Sequence, residues 1–308
     1  MKDPWFEWPR KLRESSTTLL TLALEEDLGE EGDLTARYFS AGRGLIPLRL
    51  VAREAGVLAG MPLFLRCFRA VGEKLSGETL DPERGILGEG VEVREALSDG
   101  SHFEEGDVLA RFLAPEAWAH PAERTALNFL QRLSGVATRS REVRDISVGP
   151  LPLDTRKTTP GFRLLEKYAV RTGGSGNHRM GLHDAIMVKD NHKEALGGIA
   201  RVMDKLKELP DSIPVILEVD HLGELEVILE HELASRVKQV LLDNFDPRDA
   251  ARALELREAA GGGPDFEISG GLRAEDLANP LYRGIEFASL GELTHQIHSL
   301  DLALEVDE

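Results

Sequence analysis

Six short apolar runs, each ending in polar residues, dominate the sequence after residue 148. They cover residues 151–157, 184–190, 214–220, 239–245, 265–271 and 284–291. Helical stretches separate them around residues 164–169, 193–209, 223–231 and 247–260. A strand end therefore recurs roughly every 25–35 residues, the length of a βα unit in a parallel sheet.

The apolar runs are continuous rather than alternating, so the strands are expected to be buried on both faces. The pattern predicts an α/β fold in which about six units form a barrel, closed or incomplete. An open doubly wound sheet is the alternative. No Gly-x-Gly-x-x-Gly fingerprint opens the first unit, which argues against a dinucleotide-binding protein.

The first half of the chain has a different character. Helical periodicity over Ser16–Glu26 gives way to a strand-like pattern from Ile46 to Gly56. Residues 93–114 are typical of β-structure with turns, and Pro121 is predicted to open a long helix. We predict a first domain over residues 1–147, a barrel domain over 148–294, and a tail over 295–308 that can pack with the first domain.

Charge and cysteine content exclude several classes of protein. The formal net charge of −17 argues against general nucleic-acid binding, which requires a basic face. No apolar run is long enough to span a bilayer, so no membrane partner is expected. The single cysteine, Cys67, excludes an internal disulfide and fits a cytoplasmic protein. Because Cys67 lies in an apolar run, we predict a buried structural thiol.

Polar residues at the predicted strand ends should meet in one pocket, because the carboxyl ends of parallel barrel strands converge. They are Asp154, Arg156, Lys157, Lys189, Asp190, Glu218, Asp220, Asp243, Asn244, Ser269, Gly270, Gly271 and Gly291. His178 and Arg179 come just before the second strand, after a glycine-rich turn. This concentration of cations in an acidic chain predicts a small, highly anionic ligand.

The three kinds of group in this set suit different parts of such a ligand. The cations suit carboxylates or phosphates, which arginine can grip through two hydrogen bonds. Two like charges about 6 Å apart repel by roughly 3 kcal/mol at an effective dielectric near 20, so the cations need acids or a bound polyanion. Glu218 and Asp243, on separate strands, suit Mg²⁺ carried with a phosphate-bearing substrate. The glycines near Ser269 and Gly291 suit backbone donation to a phosphate.

With these residues in view, the chain resembles the quinolinate phosphoribosyltransferase family, also called nicotinate-nucleotide pyrophosphorylase (carboxylating). The resemblance runs almost from end to end. It is carried by EEDLGEEGDLTA, AGVLAG, ERTALNFLQRLSGVAT, LDTRKTTPGFR, EKYAVRTGGSGNHRMGLHDAIMVKDNH, LEVD, LLDN, EISGG and LGELTH. It implies an N-terminal α/β sandwich-like domain and an open (incomplete) α/β barrel of six to seven parallel strands.

The resemblance also implies a reaction, in which phosphoribosyl pyrophosphate and quinolinate give nicotinate mononucleotide, CO₂ and pyrophosphate in NAD biosynthesis. The implied quinolinate-binding residues are Arg124, Arg156, His178, Arg179 and Lys189. The implied catalytic residues are Lys157, Glu218 and Asp243, and the phosphoribosyl pyrophosphate site would add Ser269, Gly270, Gly271 and Gly291. Mg²⁺ would bind Glu218 and Asp243, directly or through water. Arg124 would reach the neighbouring site of a homodimer, and a hexamer is the larger assembly open to the family.

The sequence departs from the family pattern at three positions. Ser175 interrupts a run of glycines, Glu292 stands where a small residue is common, and Gln296 follows His295 in place of serine. Molybdenum-transport-associated relatives share much of the pattern, so a phosphoribosyltransferase for another small acid, such as nicotinate, is the closest competing hypothesis. More distant hypotheses are a Schiff-base aldolase that uses Lys189 and a non-catalytic binding protein.

Overall fold

The computed structural model describes residues 2–40, 44–88 and 90–307. Two compact units are present, and they do not follow the chain as two continuous segments. One unit contains Met1–Arg139, Thr159–Gly173 and Ile297–Glu308, and the other contains Ser140–Thr158 and Gly174–Gln296. The sequence predicts a boundary near residue 147 and a tail over 295–308 that can pack with the first domain, and it gives no sign that residues 159–173 belong with the first unit.

Helices and strands alternate along most of the described chain. The helices are α1 (Arg10–Leu28), α2 (Leu34–Phe39), α3 (Met61–Leu75), α4 (Glu116–Ile146), α5 (Arg163–Thr172), α6 (Asp190–Leu196), α7 (Ile199–Lys205), α8 (Leu222–Glu230), α9 (Pro247–Ala259) and α10 (Glu292–His295). The strands are β1 (Leu45–Ala52), β2 (Gly56–Val57), β3 (Glu92–Ala96), β4 (His102–Phe103), β5 (Val108–Pro115), β6 (Leu151–Leu153), β7 (Ile186–Val188), β8 (Val215–Val219), β9 (Val237–Asp243), β10 (Asp265–Ser269), β11 (Phe287–Ser289) and β12 (Leu302–Val306). Short 3₁₀ helices cover Pro4–Glu7, Leu206–Glu208, Ala234–Arg236, Ala274–Ala278 and Pro280–Tyr282. Within the described ranges, every helix is too short or too polar to cross a membrane.

An antiparallel sheet with the order β12–β1–β5–β3 organises the first unit. The last strand of the chain pairs with β1, so the C-terminal tail is part of this sheet. Phe64 and Phe68 of α3 meet Phe112 of β5 edge-on, with ring centroids 6.0 and 4.9 Å apart. All three rings are buried, so they form part of the core of the unit. Cys67 is buried beside them on α3, and burial raises the pKa of its thiol, as expected for a structural residue.

The start of α4 differs from the prediction. The sequence predicted that Pro121 opens this helix, which is wrong, because the helix begins at Glu116 and Pro121 lies inside it. A proline there removes one backbone hydrogen bond. The helical residues before Pro121 are held by Trp118, whose ring packs closely against two glycines. A Cβ built on Gly72 would lie 2.5 Å from this ring, and one built on Gly90 would lie 2.0 Å from it. Tertiary packing therefore overrides the helix-start signal of the proline.

All six apolar runs that were predicted as barrel strands are strands of one parallel sheet in the second unit. The order is β6–β11–β10–β9–β8–β7. Strands β7 to β11 lie side by side in chain order, and β6 pairs with the last of them, β11. This is the order of a barrel, whereas a doubly wound sheet reverses its order near the centre. In the described residues β6 and β7 are the two edges, so the predicted open α/β barrel is confirmed.

The helix predicted over residues 193–209 is two helices, α6 and α7. Gly197 and Gly198 separate them, with φ values of +88° and +105°. An α-helix of L-residues does not contain these dihedral angles, so the pair ends one helix before the next begins. The first of the two starts at Asp190, immediately after the strand-end residue Lys189.

Side-chain alternation along the strands decides which residues face the interior of the barrel. Leu241 and Asp243 of β9 line the same cavity as Ser269 of β10, and the register places Ser269 opposite Asp243. Because side chains on a strand alternate between its two faces, Glu267 faces the same side of β10 as Ser269. The barrel therefore directs polar groups from adjacent strands toward one interior.

Candidate active site

A cavity of about 620 Å³ lies at the carboxyl ends of the barrel strands. Its wall comes from the ends of the strands and from the loops that follow them. The sequence-predicted residues on this wall are Arg156, Lys157, His178, Arg179, Lys189, Asp243, Ser269, Gly270, Gly271 and Gly291. The structure thus brings these residues together, while their individual roles stay predictions.

Arg179 is a cation whose ionisation is affected by its surroundings. Burial, and then the positive charge of Arg156, lower the pKa of Arg179, while Asp184 opposes the shift. Its Nη1 donates to the backbone carbonyl of Ala185 at 3.1 Å. The positive charge of Arg156 repels that of Arg179, and a bound anion would relieve this repulsion.

Lys189 and Glu218 form an ion pair between two neighbouring strands. Nζ of Lys189, directly after β7, lies 2.8 Å from Oε2 of Glu218 in β8. The side chain of Glu218 is buried, and that of Lys189 is half-exposed. Lys189 lines the cavity, so Glu218 lies directly behind the cavity wall. The amine of Lys189 is thus engaged by a carboxylate, which argues against an aldolase that needs this amine as a free nucleophile.

The glycine-rich turn that carries His178 is fixed by Asp154, a fully buried carboxylate just after β6. Its Oδ2 accepts from Asn177 Nδ2 at 2.6 Å, and its Oδ1 accepts from the backbone N–H of His178 at 3.0 Å. A Cβ at Gly176 would lie 2.5 Å from Leu153 Cδ2, so this position needs glycine. The turn is therefore set by contacts with the first barrel strand.

The three departures from the family pattern fall in or next to this region. The Oγ of Ser175 donates to the backbone carbonyl of Ser140 at 2.9 Å, so the serine is accommodated by a hydrogen bond of its own. Glu292 and Gln296 both line the cavity, together with His295. The last two departures therefore change the composition of the wall itself.

Three carboxylates, those of Glu218, Asp220 and Asp243, have ligand atoms within 4.8 Å of one another. Oxygen donors at this spacing fit a hard divalent cation such as Mg²⁺. The sequence predicted Glu218 and Asp243 as metal ligands, and the structure brings Asp220 to them. Lys193 Nζ donates to Asp220 at 2.7 Å, and Ser269 Oγ donates to Asp243 at 2.8 Å. Each carboxylate keeps further lone pairs after these bonds, so the cluster can still coordinate a cation.

The turn after β10 places backbone rather than side chain at the cavity wall. Gly270 and Gly271 have φ values of +93° and +62°. A Cβ on Gly270 would lie 2.3 Å from Asn244 Oδ1, so no larger residue fits there. The backbone N–H of Asn244 donates to the carbonyl of Ser269 at 2.9 Å and ties this turn to the end of β9. Successive N–H groups in such a turn can form a concave anion-binding site.

Lys157 is fixed against α10, the short helix that follows β11. The hydroxyl of Thr294 donates to the backbone carbonyl of Lys157 at 2.7 Å. A Cβ on Gly291 would lie 2.6 Å from His295 Nε2 and 3.1 Å from Lys157 Cδ. The glycine therefore allows the lysine and the histidine to approach the same place on the wall.

Arg124 does not line the cavity at the strand ends. It is exposed on α4 and lines a separate cavity of about 430 Å³, together with Asp27, Phe129, Arg132 and others. Its predicted position in the site of a neighbouring subunit stays a prediction.

Some residues of the cavity wall were not identified from the sequence, among them Thr155, Arg273 and Ser289. Thr155 adjoins Arg156 and Arg273 lies two positions after Gly271, so extending each strand-end segment by a few positions would have included them. The direction of Ser289 follows only from the register of β11. Glu267, fully buried in β10, also contributes to the interior and was concealed inside an apolar run.

The fold and the cavity together define an α/β-barrel protein with a cavity lined by cations at the carboxyl ends of its strands. Models of the quinolinate phosphoribosyl transferase N-terminal and C-terminal domains match residues 33–134 and 136–305. The chain is 36% identical over 283 residues to the probable nicotinate-nucleotide pyrophosphorylase (carboxylating) of Bacillus subtilis, covering 91% of this chain and 90% of that relative. It is 33% identical over 301 residues to the chloroplastic nicotinate-nucleotide pyrophosphorylase (carboxylating) of Arabidopsis thaliana, covering 94% and 82%.

A solved structure is similar over the same extent. The nicotinate-nucleotide pyrophosphorylase from Francisella tularensis has a TM-score of 0.82 and 30% identity, and the match covers 96% of this chain and 97% of that one. The chain therefore belongs to the quinolinate phosphoribosyl transferase family.

Proposed function

We propose that this protein transfers the phosphoribosyl group of phosphoribosyl pyrophosphate to the ring nitrogen of quinolinate. The nitrogen attacks C1 of the ribose and pyrophosphate leaves with its bonding electrons. The C2 carboxylate is then lost as CO₂, and the electron pair left on C2 takes up a proton from solvent, which gives nicotinate mononucleotide for NAD biosynthesis. One observation carries this proposal: the cations Arg156, Arg179 and Lys189 line the same cavity as the glycine turn after β10.

The cationic side of the cavity is suited to a ligand with two carboxylates. Arg156, Arg179 and Lys189 can each form charge-assisted hydrogen bonds, and each such bond contributes about 1.5–3 kcal/mol. Burial, and then repulsion by Arg156, lower the pKa of Arg179, and a bound dianion would offset this repulsion. A monoacid such as nicotinate would neutralise less of this charge, which favours quinolinate.

Phosphoribosyl pyrophosphate would occupy the side of the cavity formed by the glycine turn after β10. The backbone N–H groups of Gly270 and Gly271 would hold its 5′-phosphate. The hydroxyl of Ser269 would join them by turning its hydrogen from Asp243 to the phosphate, and Gly291 allows close approach there. Lys157 would bridge the two substrates. No nucleophilic side chain is needed, because holding two reactants together and stabilising charge can supply most of the rate enhancement.

Glu218 and Asp243 would face the ribose, where negative charge stabilises the positive character that develops at C1. Together with Asp220 they would hold Mg²⁺, directly or through water, because their oxygens lie within 4.8 Å of one another. Such a site supplies charge neutralisation to the leaving pyrophosphate. Lys189 and Lys193, bonded to two of these carboxylates, would keep them oriented.

A homodimer completes the proposal. Arg124 is exposed on α4, and we propose that it enters the partner's cavity and adds a cation for quinolinate. A hexamer would be an assembly of such dimers. A cytoplasmic location agrees with the single, buried, unpaired thiol of Cys67.

The release of CO₂ tests this function directly. The protein would be incubated with Mg²⁺, phosphoribosyl pyrophosphate and quinolinate radiolabelled in the C2 carboxylate. We expect CO₂, pyrophosphate and nicotinate mononucleotide in equal amounts, and no CO₂ when phosphoribosyl pyrophosphate is omitted. Pyrophosphate release with nicotinate but not with quinolinate would replace the proposed substrate, and no release with either acid would refute the activity.

A further inference from the structure

A buried carboxylate lies behind the acid-binding side of the cavity. Glu267 is in the middle of β10 and is 0% exposed. The register places it beside Leu241 of β9 and Phe287 of β11. It belongs neither to the carboxylate cluster around Asp243 nor to the substrate contacts proposed above, so a buried charge remains to be explained.

Neighbouring side chains from three parts of the barrel meet this carboxylate. Gln239 Nε2 on β9 donates to Oε2, and Ser289 Oγ on β11 donates to Oε1. His178 Nε2 lies 3.4 Å from Oε2, with the histidine side chain 8% exposed. A buried carboxylate is tolerated when it is hydrogen-bonded and paired, and these groups supply both conditions for Glu267.

The contacts of His178 determine where its ring proton lies. Its Nδ1 accepts a hydrogen bond from the backbone N–H of Arg179 at 2.6 Å, so Nδ1 carries no proton. The proton of the neutral ring is therefore assigned to Nε2, the nitrogen that faces Glu267. The imidazole accepts a hydrogen bond at Nδ1 and faces Glu267 at ion-pair distance with Nε2, and it lines the cavity next to Arg179.

We propose that Glu267 is a positioning residue for the binding of the acid substrate, and that it acts through His178. The carboxylate fixes the tautomer and orientation of the imidazole, and the imidazole fixes the backbone of Arg179. The guanidinium of Arg179 is thereby kept on the cavity wall. This inference rests on the proposed function, since the acid that Arg179 would bind is quinolinate.

The proposed effect is confined to one side of the cavity. The glycine turn that would hold the 5′-phosphate is secured by Asn244, through its backbone bond to Ser269. His178 makes no part of that contact. Removing the charge of Glu267 should therefore affect quinolinate much more than phosphoribosyl pyrophosphate.

The variant Glu267→Gln removes the charge and keeps the shape of the side chain. We expect its KM for quinolinate to rise about tenfold or more, the size of one weakened charge-assisted hydrogen bond. Its KM for phosphoribosyl pyrophosphate should stay within about twofold of the wild-type value. The matched control is Gln239→Leu, which removes one donor to the same carboxylate but leaves its charge and the histidine contact. We expect the control to lower the Tm without separating the two KM values.

Equal rises of both KM values in Glu267→Gln would indicate a merely structural role and would overturn the proposal, as would an unchanged KM for quinolinate. Nitrogen-15 NMR of the His178 ring in the wild-type protein, assigned with His178→Gln, provides a test that needs no folded Glu267 variant. At a pH where the spectrum shows the neutral ring, we expect its proton on Nε2. A proton on Nδ1 would overturn the proposal. Failure of the proposed function is distinguishable, because the wild-type protein would then release neither CO₂ nor pyrophosphate.

Discussion

Replacing Arg179 with alanine should separate the two substrates. The guanidinium lines the cationic side of the cavity and is held in place by the carbonyl of Ala185. The change removes charge-assisted hydrogen bonds to quinolinate and leaves the glycine turn at Gly270 untouched. Quinolinate binding should therefore weaken, while the binding of phosphoribosyl pyrophosphate should change little.

The expected size follows from the chemistry of the lost contact. One charge-assisted hydrogen bond contributes about 1.5–3 kcal/mol, and about 1.4 kcal/mol corresponds to a factor of ten in affinity. The dissociation constant for quinolinate should rise roughly 10–150-fold for one bond, and further if the contact is bidentate. The Tm should stay level or rise, because burial and the charge of Arg156 already disfavour the charged form of Arg179 in the folded protein.

Calorimetric titration of each substrate, with thermal unfolding of the same samples, measures both effects. The matched control is Arg171→Ala, which removes the same charge from an exposed position on α5 and should leave both affinities unchanged. Equal losses for the two substrates would refute the assignment of Arg179 to the acid. A large fall in Tm would instead indicate that the arginine stabilises the fold.

Three further changes test other parts of the site. Gly270→Ala should lower the free energy of unfolding by about 1–3 kcal/mol and weaken phosphoribosyl pyrophosphate binding, because the backbone at Gly270 is left-handed and the new Cβ would meet Asn244. Denaturant titration measures the change in stability. The control is Gly44→Ala, at a position where the space around the new Cβ is open. Arg273→Ala should raise the KM for phosphoribosyl pyrophosphate and not that for quinolinate, because its loop continues from the glycine turn along the cavity wall; steady-state kinetics showing equal changes would count against this. Asp220→Asn should raise the Mg²⁺ concentration needed for half-maximal binding of phosphoribosyl pyrophosphate, because one of three clustered carboxylates is lost; an unchanged requirement would exclude Asp220 from the metal site.

The barrel strands could be predicted because their signal is local. A buried parallel strand needs a continuous apolar run, and residues such as Lys189 and Asp243 directly follow or end such runs. Helix boundaries were harder to predict from the sequence. The start of α4 depends on Trp118 packing against glycines distant in the sequence, and the break after α6 depends on two adjacent left-handed glycines inside an otherwise helical pattern.

The candidate site was predictable where it follows from strand ends and not where it depends on register. Carboxyl ends of parallel strands converge in any barrel, so Arg156 and Ser269 could be placed at the site from their positions alone. A carboxylate within an apolar run gives no such indication. Glu267 acquires its surroundings from Gln239 and Ser289, on strands that only the sheet topology brings to its sides.

A crystal structure of the protein with bound quinolinate would examine the cation cluster most directly. We predict that quinolinate occupies the cavity at the strand ends, with its two carboxylates about 3 Å from nitrogen atoms of Arg156, Arg179 and Lys189. Quinolinate bound at another place, or those three side chains turned away from it into solvent, would contradict the assignment of this cavity to the acid.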